Sequence, residues 1–353
     1  MLTLDGSEGE GGGQVLRSAL TLAALTGTPF RLVNVRARRP RPGLAAQHLA
    51  ALHAAAAVCD AEVEGAALGS LEVRFAPRAP RAGDYAFDVG TAGAVSLVLQ
   101  TVLPVLAWAG GVSRVRVRGG THVRWSPCFE YLDWQWRWAV ARAGYAFSLE
   151  LVRAGFYPEG GGEVAAQVEP VSRPRPVRLV ARGAPEVLEG RSAVGRLPDH
   201  VARRQREAAL AALRGVWRGP VAVETARLDS AGPGSVIALR ARFAGGAGCC
   251  CALGERGLPA ERVGETAARC LREWLAGEGA VDPWLADQLL VPLAFVPGES
   301  ELTTTRVTRH LLTNAAVVRR FLGGDAVTVV GGEGAPGRVT VRGSCPAGAG
   351  AAQ

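Results

Sequence analysis

His310 is the side chain in this sequence best suited to act as a nucleophile. It falls in the first turn of a helix whose apolar stripe, Leu311, Ala315, Val318 and Leu322, sets it beside the core face rather than within it. The 40 strongly basic residues are all Arg, and Lys is absent. That composition excludes a P-loop lysine, a Schiff base and a lysine–adenylate. Histidine is then the best remaining side chain for a covalent nucleotidyl intermediate. The positive end of the helix dipole disfavours imidazolium, so His310 is expected to be neutral and nucleophilic near pH 7. Spacing by itself points more simply to a histidine that caps its own helix or bonds nearby backbone. A second run starts at Asp282-Pro283, an N-cap followed by proline at the first helical position. Trp284, Asp287 and Gln288 follow on one face at i, i+3 and i+4, with Leu285 and Leu289 on another. That face could stack a base and hydrogen-bond a ribose, and would serve an interdomain contact equally well. A third run, Asp5–Gln14, is glycine-rich, allows close backbone approach to a ligand, and offers Glu10 to a divalent metal. It matches neither a P-loop nor the dinucleotide fingerprint. Of the other histidines, His48 reads as partly buried, and His53, His122 and His200 sit in ordinary surroundings.

The elements that must position these groups repeat. Helix, strand, helix and two strands recur three times: Gly12–Leu25, Phe30–Arg38, Leu44–Val58, Ala61–Val63 and Leu71–Ala76; then Thr91–Ala109, Val112–Val117, Pro127–Arg142, Tyr145–Val152 and Glu163–Val168; then Pro283–Phe295, Leu302–Thr308, Arg309–Leu322, Val327–Val330 and Val339–Val341. The first two units begin about 80 residues apart and the third roughly 190 after the second, so a domain-sized insertion separates them. The expected division is a core of two repeats over 1–183, an inserted α/β domain over 184–279, a third repeat over 280–342, and a flexible Gly/Ala-rich tail over 343–353. Within the insertion, His200–Leu213 and Glu261–Trp274 read as helices, Val236–Phe243 as a strand and Ala244–Cys251 as a turn. The fold class is α/β (α+β), with each unit burying one sheet face against a common centre. In each unit a loop leads into the second helix: Arg39–Gly43, Thr121–Pro127 and Thr308–His310. Free amides at three such helix ends could converge on one phosphate.

With 353 residues, 48% hydrophobic and 20% charged, the chain has ample material for a core, which excludes global disorder and a disulfide-stapled miniprotein. A net charge of +8 suits a polyanionic partner. Seven cysteines, odd in number and without zinc-site spacing, are expected as reduced, inert cytosolic thiols. Thr91–Ala109 is interrupted by Ser96, Gln100 and Pro104, which favours a buried helix over a membrane span.

Seven segments together resemble the RNA 3′-terminal phosphate cyclases. They are LDGSEGEGGGQVLRSAL at 4–20, RPGLAAQHLAAL at 41–52, GTAGAVSLVLQTVLP at 90–104, GGTHVRWSP at 119–127, GFYPEGGGEV at 155–164, WLADQLLVPLA at 284–294 and RHLLTNAAVVRRF at 309–321. The resemblance implies an ATP-dependent enzyme that converts an RNA 3′-phosphate end into a 2′,3′-cyclic phosphodiester. It implies three βαβαββ-like units similar to those of enolpyruvyl-shikimate-phosphate synthase. His310 would carry AMP as a phosphoramidate, Glu10 would associate with a divalent metal (Mg or Mn), and Arg39 would contact phosphate. Gln47, Gln100, Pro127, Trp284, Leu285, Ala286, Asp287 and Gln288 would form the ATP-binding wall, with Trp284 and Pro127 sandwiching adenine. The chain departs from the family at Ala154, where His or Arg normally precedes the signature, and at Trp284, where some bacterial members have tyrosine. The implied partner is RNA with a 3′-phosphate end, the expected location is the cytoplasm, and a homodimer is compatible. Two rivals are a non-catalytic cyclase-like RNA-binding protein of ribosome biogenesis, expected to lack the histidine, and an enolpyruvyl transferase, disfavoured by the absence of lysine.

Overall fold

The computed structural model describes residues 1–346. The chain opens with β1 (Leu2–Asp5), α1 (Gln14–Thr26), β2 (Phe30–Val33), α2 (Ala46–Cys59), β3 (Glu62–Glu64) and β4 (Val73–Ala76). A second unit follows: β5 (Asp84–Asp88), α3 (Val95–Leu106), β6 (Ser113–Gly119), a π-helical turn (Tyr131–Trp136) running into α4 (Arg137–Arg142), β7 (Ala146–Arg153) and β8 (Gly162–Glu169). After β9 (Arg178–Leu179) come β10 (Pro185–Gly195), α5 (Asp199–Leu213), β11 (Val221–Arg227), β12 (Gly234–Phe243), β13 (Gly246–Leu253) and α6 (Ala260–Ala276). The chain then continues with α7 (Pro283–Gln288), α8 (Leu290–Ala294), β14 (Gly298–Thr304), α9 (Arg309–Leu322), β15 (Val327–Val330) and β16 (Gly337–Gly343).

Three sheets share one strand order, β1-β2-β4-β3, β5-β6-β8-β7 and β9-β14-β16-β15. In each the first pair is parallel and the rest antiparallel. Each unit therefore begins with a strand that hydrophobic periodicity does not reveal, because β1 and β5 are short and half exposed and β9 spans two residues. The third unit starts at β9, ahead of the insertion, not at residue 280: Arg178 and Leu179 pair with Glu301 and Leu302. The segment β10–α6 interrupts that unit after its first strand and forms its own sheet, β11-β10-β12-β13.

The helices lie inside and the sheets outside. In β6, Ser113, Val115, Val117 and Gly119 face inward while Arg114, Arg116 and Arg118 face solvent. In α1 every residue except Gln14, Arg17 and Thr26 is buried, and one apolar cluster joins all three units around it. Full burial of side chains such as Leu16 and Leu20 stabilises this centre by about 1.5–3 kcal/mol each.

Several expectations are corrected. The strand expected over Phe30–Arg38 ends at Val33, because Asn34 and Arg36 both adopt φ +54 and turn the chain. The expected turn at Ala244–Cys251 is largely strand β13. Its small residues follow from packing: a Cβ on Gly248 would run into the Trp274 indole of α6. The expectation of free thiols fails at Cys250 and Cys270, which are disulfide-bonded between β13 and α6. Cys128 and Cys251 are free, with sulfurs 2.7 Å apart. The tail expected from Gly343 falls, beyond residue 346, outside the described residues, and Gly343 itself ends β16. Among the described residues no helix is long and apolar enough to cross a membrane.

Candidate active site

The glycine run after β1 brings Glu10 to the first turn of α9. Gly9 has φ +60, and a Cβ there would strike Thr313 of α9; a Cβ on Gly12 would strike Glu10 and Arg39. The run is glycine because side chains from elsewhere press directly onto its backbone. The Glu10 amide donates to Thr313 Oγ1 at 3.1 Å, which fastens the run to α9. Thr308 caps α9 by accepting from the Leu311 amide at 3.0 Å. His310 is thus released from the capping role that its spacing suggested.

The His310 Nδ1 pairs with Glu10 Oε2, and Arg39 Nη2 stands 3.6 Å from the same oxygen. The Glu10 side chain is 9% exposed and that of His310 46%. The hydrogen bond that His310 donates to Glu10 raises the His310 pKa; burial opposes this, while the charges of Asp287 and Glu10 add to it. The carboxylate in direct contact thus opposes and outweighs the downward pull expected from the helix end. Burial alone would push the Glu10 carboxyl up, but His310, then Arg39 and Arg17, hold it below its ordinary value.

Around this pair lies a cationic cluster. His48, buried under Gly13, is driven down to about 3 by burial and by the charges of Arg17, Arg36 and Arg39. It therefore stays neutral. Burial lowers the Arg17 guanidinium to about 10, with Glu10 and Asp287 opposing. Asp287 is buried at 7% exposure. Burial pushes its carboxyl up to about 7; His310 pulls against that, Glu10 and Asp282 add to it, and Arg17 offsets part. A neutral imidazole nitrogen, an acidic orienter and several guanidiniums in one place can hold an anionic phosphate and attack it.

This sequence matches the family model described as RNA 3′-terminal phosphate cyclase over residues 8–327. The chain belongs to the RNA 3′-terminal phosphate cyclase family. Relatives carrying that name include one from Pyrobaculum neutrophilum, 44% identical over 90% of this chain and 92% of its own length. One from Methylococcus capsulatus is 47% identical over 91% of each, and one from Methanopyrus kandleri 45% identical over 97% of this chain and 99% of its own. Among solved structures, the enolpyruvyl transferase NikO from Streptomyces tendae aligns at a TM-score of 0.39 and 12% identity, covering 98% of this chain and 48% of that one.

Within this cyclase-family chain, the expected site residues divide. Glu10, Arg39 and His310 come together as described. Gln100 donates to Gln288 Oε1 at 2.6 Å, tying α3 to α7, and Gln47 accepts from the Ala94 amide at 3.1 Å. The Pro127 carbonyl accepts from Ser96 at 2.7 Å. Trp284 is 38% exposed, which leaves its ring free for a ligand. The Leu285 and Ala286 side chains are fully buried in the core. The loop at Thr121–Pro127 departs from expectation. Thr121 Oγ1 accepts from the Gly155 amide at 2.9 Å, and His122 pairs with Glu130 at 2.9 Å inside the protein, so these two side chains are spent internally, while Trp125 is exposed.

Glu10 would hold a divalent ion together with substrate phosphates and not within an all-protein cage. Its Oε2 is engaged by His310 and Arg39, and among the described residues no group of three or more His, Cys, Asp or Glu could hold an ion. Sequence pattern does not single out Arg17, Thr313 or Asn314. Arg17 does carry a signal, being the one charged residue in the otherwise apolar α1. Asn314 donates to the Asp287 carbonyl at 2.7 Å and accepts from Ser18, which joins α9 to α7 and α1.

The His310–Glu10 contact has a consequence for pH. Were His310 to act as a nucleophile, its attacking nitrogen would have to be deprotonated, and the rate of that step would rise as pH climbs through the His310 pKa. The Glu10 hydrogen bond raises that pKa, so Glu10→Gln should move the rising limb to lower pH while reducing the plateau. Single-turnover rates across pH test this; a limb that stays in place, or moves upward, contradicts the pairing.

Proposed function

We propose that this chain uses ATP to convert an RNA 3′-phosphate end into a 2′,3′-cyclic phosphodiester through a histidine–AMP intermediate. The observation that carries this reading is the contact of His310 Nδ1 with Glu10. With Nδ1–H given to the carboxylate, the lone pair sits on Nε2 of a half-exposed ring.

In the first step Nε2 attacks the α-phosphorus of ATP; the N–P bond forms and the bond to the bridging oxygen breaks, releasing pyrophosphate. The ring gains positive charge, which Glu10 stabilises. Arg17 and Arg39 stand where they would balance the phosphate charge. An RNA 3′-phosphate oxygen then attacks the same phosphorus and the N–P bond breaks, returning the lone pair to Nε2. The vicinal 2′-hydroxyl finally attacks the 3′-phosphorus and expels AMP, helped chiefly by proximity. Trp284 offers an exposed ring for adenine. Glu10, together with the triphosphate, would hold a divalent cation, Mg²⁺ or Mn²⁺, which would supply charge neutralisation there.

RNA ending in a 2′-deoxy-3′-phosphate separates the steps. With no vicinal hydroxyl it should accumulate as an adenylated end, while the ribose-ended oligonucleotide becomes cyclic and yields AMP. Cyclisation of normal RNA without ATP, or with no adenylated species trapped on the deoxy end, would overturn the proposal. The non-catalytic alternative is disfavoured because Glu10, Arg39 and His310 are all present and in contact distance.

A further inference from the structure

Helix α9 presents two flanks separated by the His310 edge. At 3.6 residues per turn, Leu311 and Asn314 lie to one side of His310, and Arg309, Thr313, Ala316 and Arg320 to the other. The Asn314 flank meets α7, since Asn314 bonds the Asp287 carbonyl. The opposite flank borders a groove of about 450 Å³ between α9 and the glycine run, a size in the range of small-molecule sites, roughly 300–1,000 Å³. Its floor is apolar, formed by Leu4, Val15, Leu312, Ala316 and Val317. Thr313 and Gly9 belong to the groove wall, and Thr313 also anchors the Glu10 amide, so the groove lies beside the Glu10–His310 pair.

The charges on its rim are unevenly spent. Arg309 is paired with Glu333, and Asp5 is held by Ser7 and Asn34. Arg38 donates to the Gly9 carbonyl at 3.1 Å and Arg320 to the Thr3 carbonyl at 3.0 Å. Among the described residues neither has a carboxylate partner, so two guanidinium charges stay available to phosphates. Glu8 is the one rim carboxylate left to accept from a hydroxyl or a base N–H.

Resting on the function proposed above, we infer that this groove binds the terminal nucleosides of the RNA acceptor. Bases lie on the apolar floor and backbone phosphates meet Arg38 and Arg320. The nucleotide donor and the RNA acceptor thus approach His310 from opposite flanks of α9.

Two variants test this without touching the catalytic pair: Ala316→Trp, which fills the floor from an exposed position, and Arg320→Glu. Each is assayed for His310 adenylylation with ATP alone, and by fluorescence anisotropy for binding of a 3′-phosphorylated single-stranded RNA. Adenylylation should match the wild type. RNA affinity should fall about tenfold in Ala316→Trp, and the salt slope should drop by about one in Arg320→Glu. Unchanged RNA affinity in both variants overturns the inference and leaves the groove to another occupant, such as a peptide. Equal loss of adenylylation in both would also overturn it, by placing the groove on the donor side. Absence of adenylylation in the wild type would instead sink the proposed function, while the binding measurement would still judge the groove.

Discussion

Replacing His310 with alanine should abolish cyclisation, lowering the rate by about 10⁴-fold or more, while leaving the fold intact. The histidine side chain is half exposed, and Thr308 rather than His310 caps α9, so stability should change by no more than about 0.5 kcal/mol. Neither buried histidine can substitute. His48 is buried and held neutral beneath Gly13, and His122 is locked to Glu130 in the interior. End-point assays on 3′-phosphorylated RNA with ATP, paired with a thermal melt, read both parts. Cyclic ends produced at the wild-type rate would remove His310 from the chemistry.

The largest loss of stability is expected at Asp282. Its carboxylate is fully buried and accepts five hydrogen bonds. Oδ1 takes the Tyr131 hydroxyl at 2.7 Å and the Trp284 and Leu285 amides at 3.1 and 3.0 Å. Oδ2 takes Gln135 at 2.8 Å and the Cys249 amide at 3.3 Å. Burial raises its pKa, and these donors oppose the rise. One side chain therefore holds the π-turn of the second unit, strand β13 of the insertion and the start of α7 together. Asp282→Ala strands those donors without water, at a cost of about 3–5 kcal/mol and roughly 10 °C in Tm. Asp282→Asn keeps one acceptor oxygen and should recover part of that loss. Because α7 carries Trp284 and Asp287, the alanine variant should also need more ATP. A melt within about 0.5 kcal/mol of the wild type would contradict this account.

Much of this was legible from the chain. The start of α9, the Asp282-Pro283 helix start and the buried core helices follow from caps and periodicity, which are local. The sheet-edge strands β1, β5 and β9 were hidden, because their identity depends on a parallel partner and not on their own pattern. The insertion was visible as a break in spacing, but its place inside the third unit was not, since only the pairing of Arg178–Leu179 with β14 reveals it. At the site, Glu10, Arg39 and His310 were marked by type and motif. The raised pKa of His310 was not, because it comes from one contact between residues three hundred positions apart. Leu285 and Ala286 show the reverse case: the motif marks the whole run alike, and only the packing separates these two core side chains from the exposed Trp284.

The covalent step can be seen without knowing the natural RNA. The protein is incubated with ATP alone, its intact mass recorded, and the modified peptide mapped. One adenylyl group on His310, lost in acid, stable in alkali and missing from His310→Ala, is the predicted result. An unmodified protein that still cyclises RNA, or an adenylyl group carried on a different residue, would contradict it.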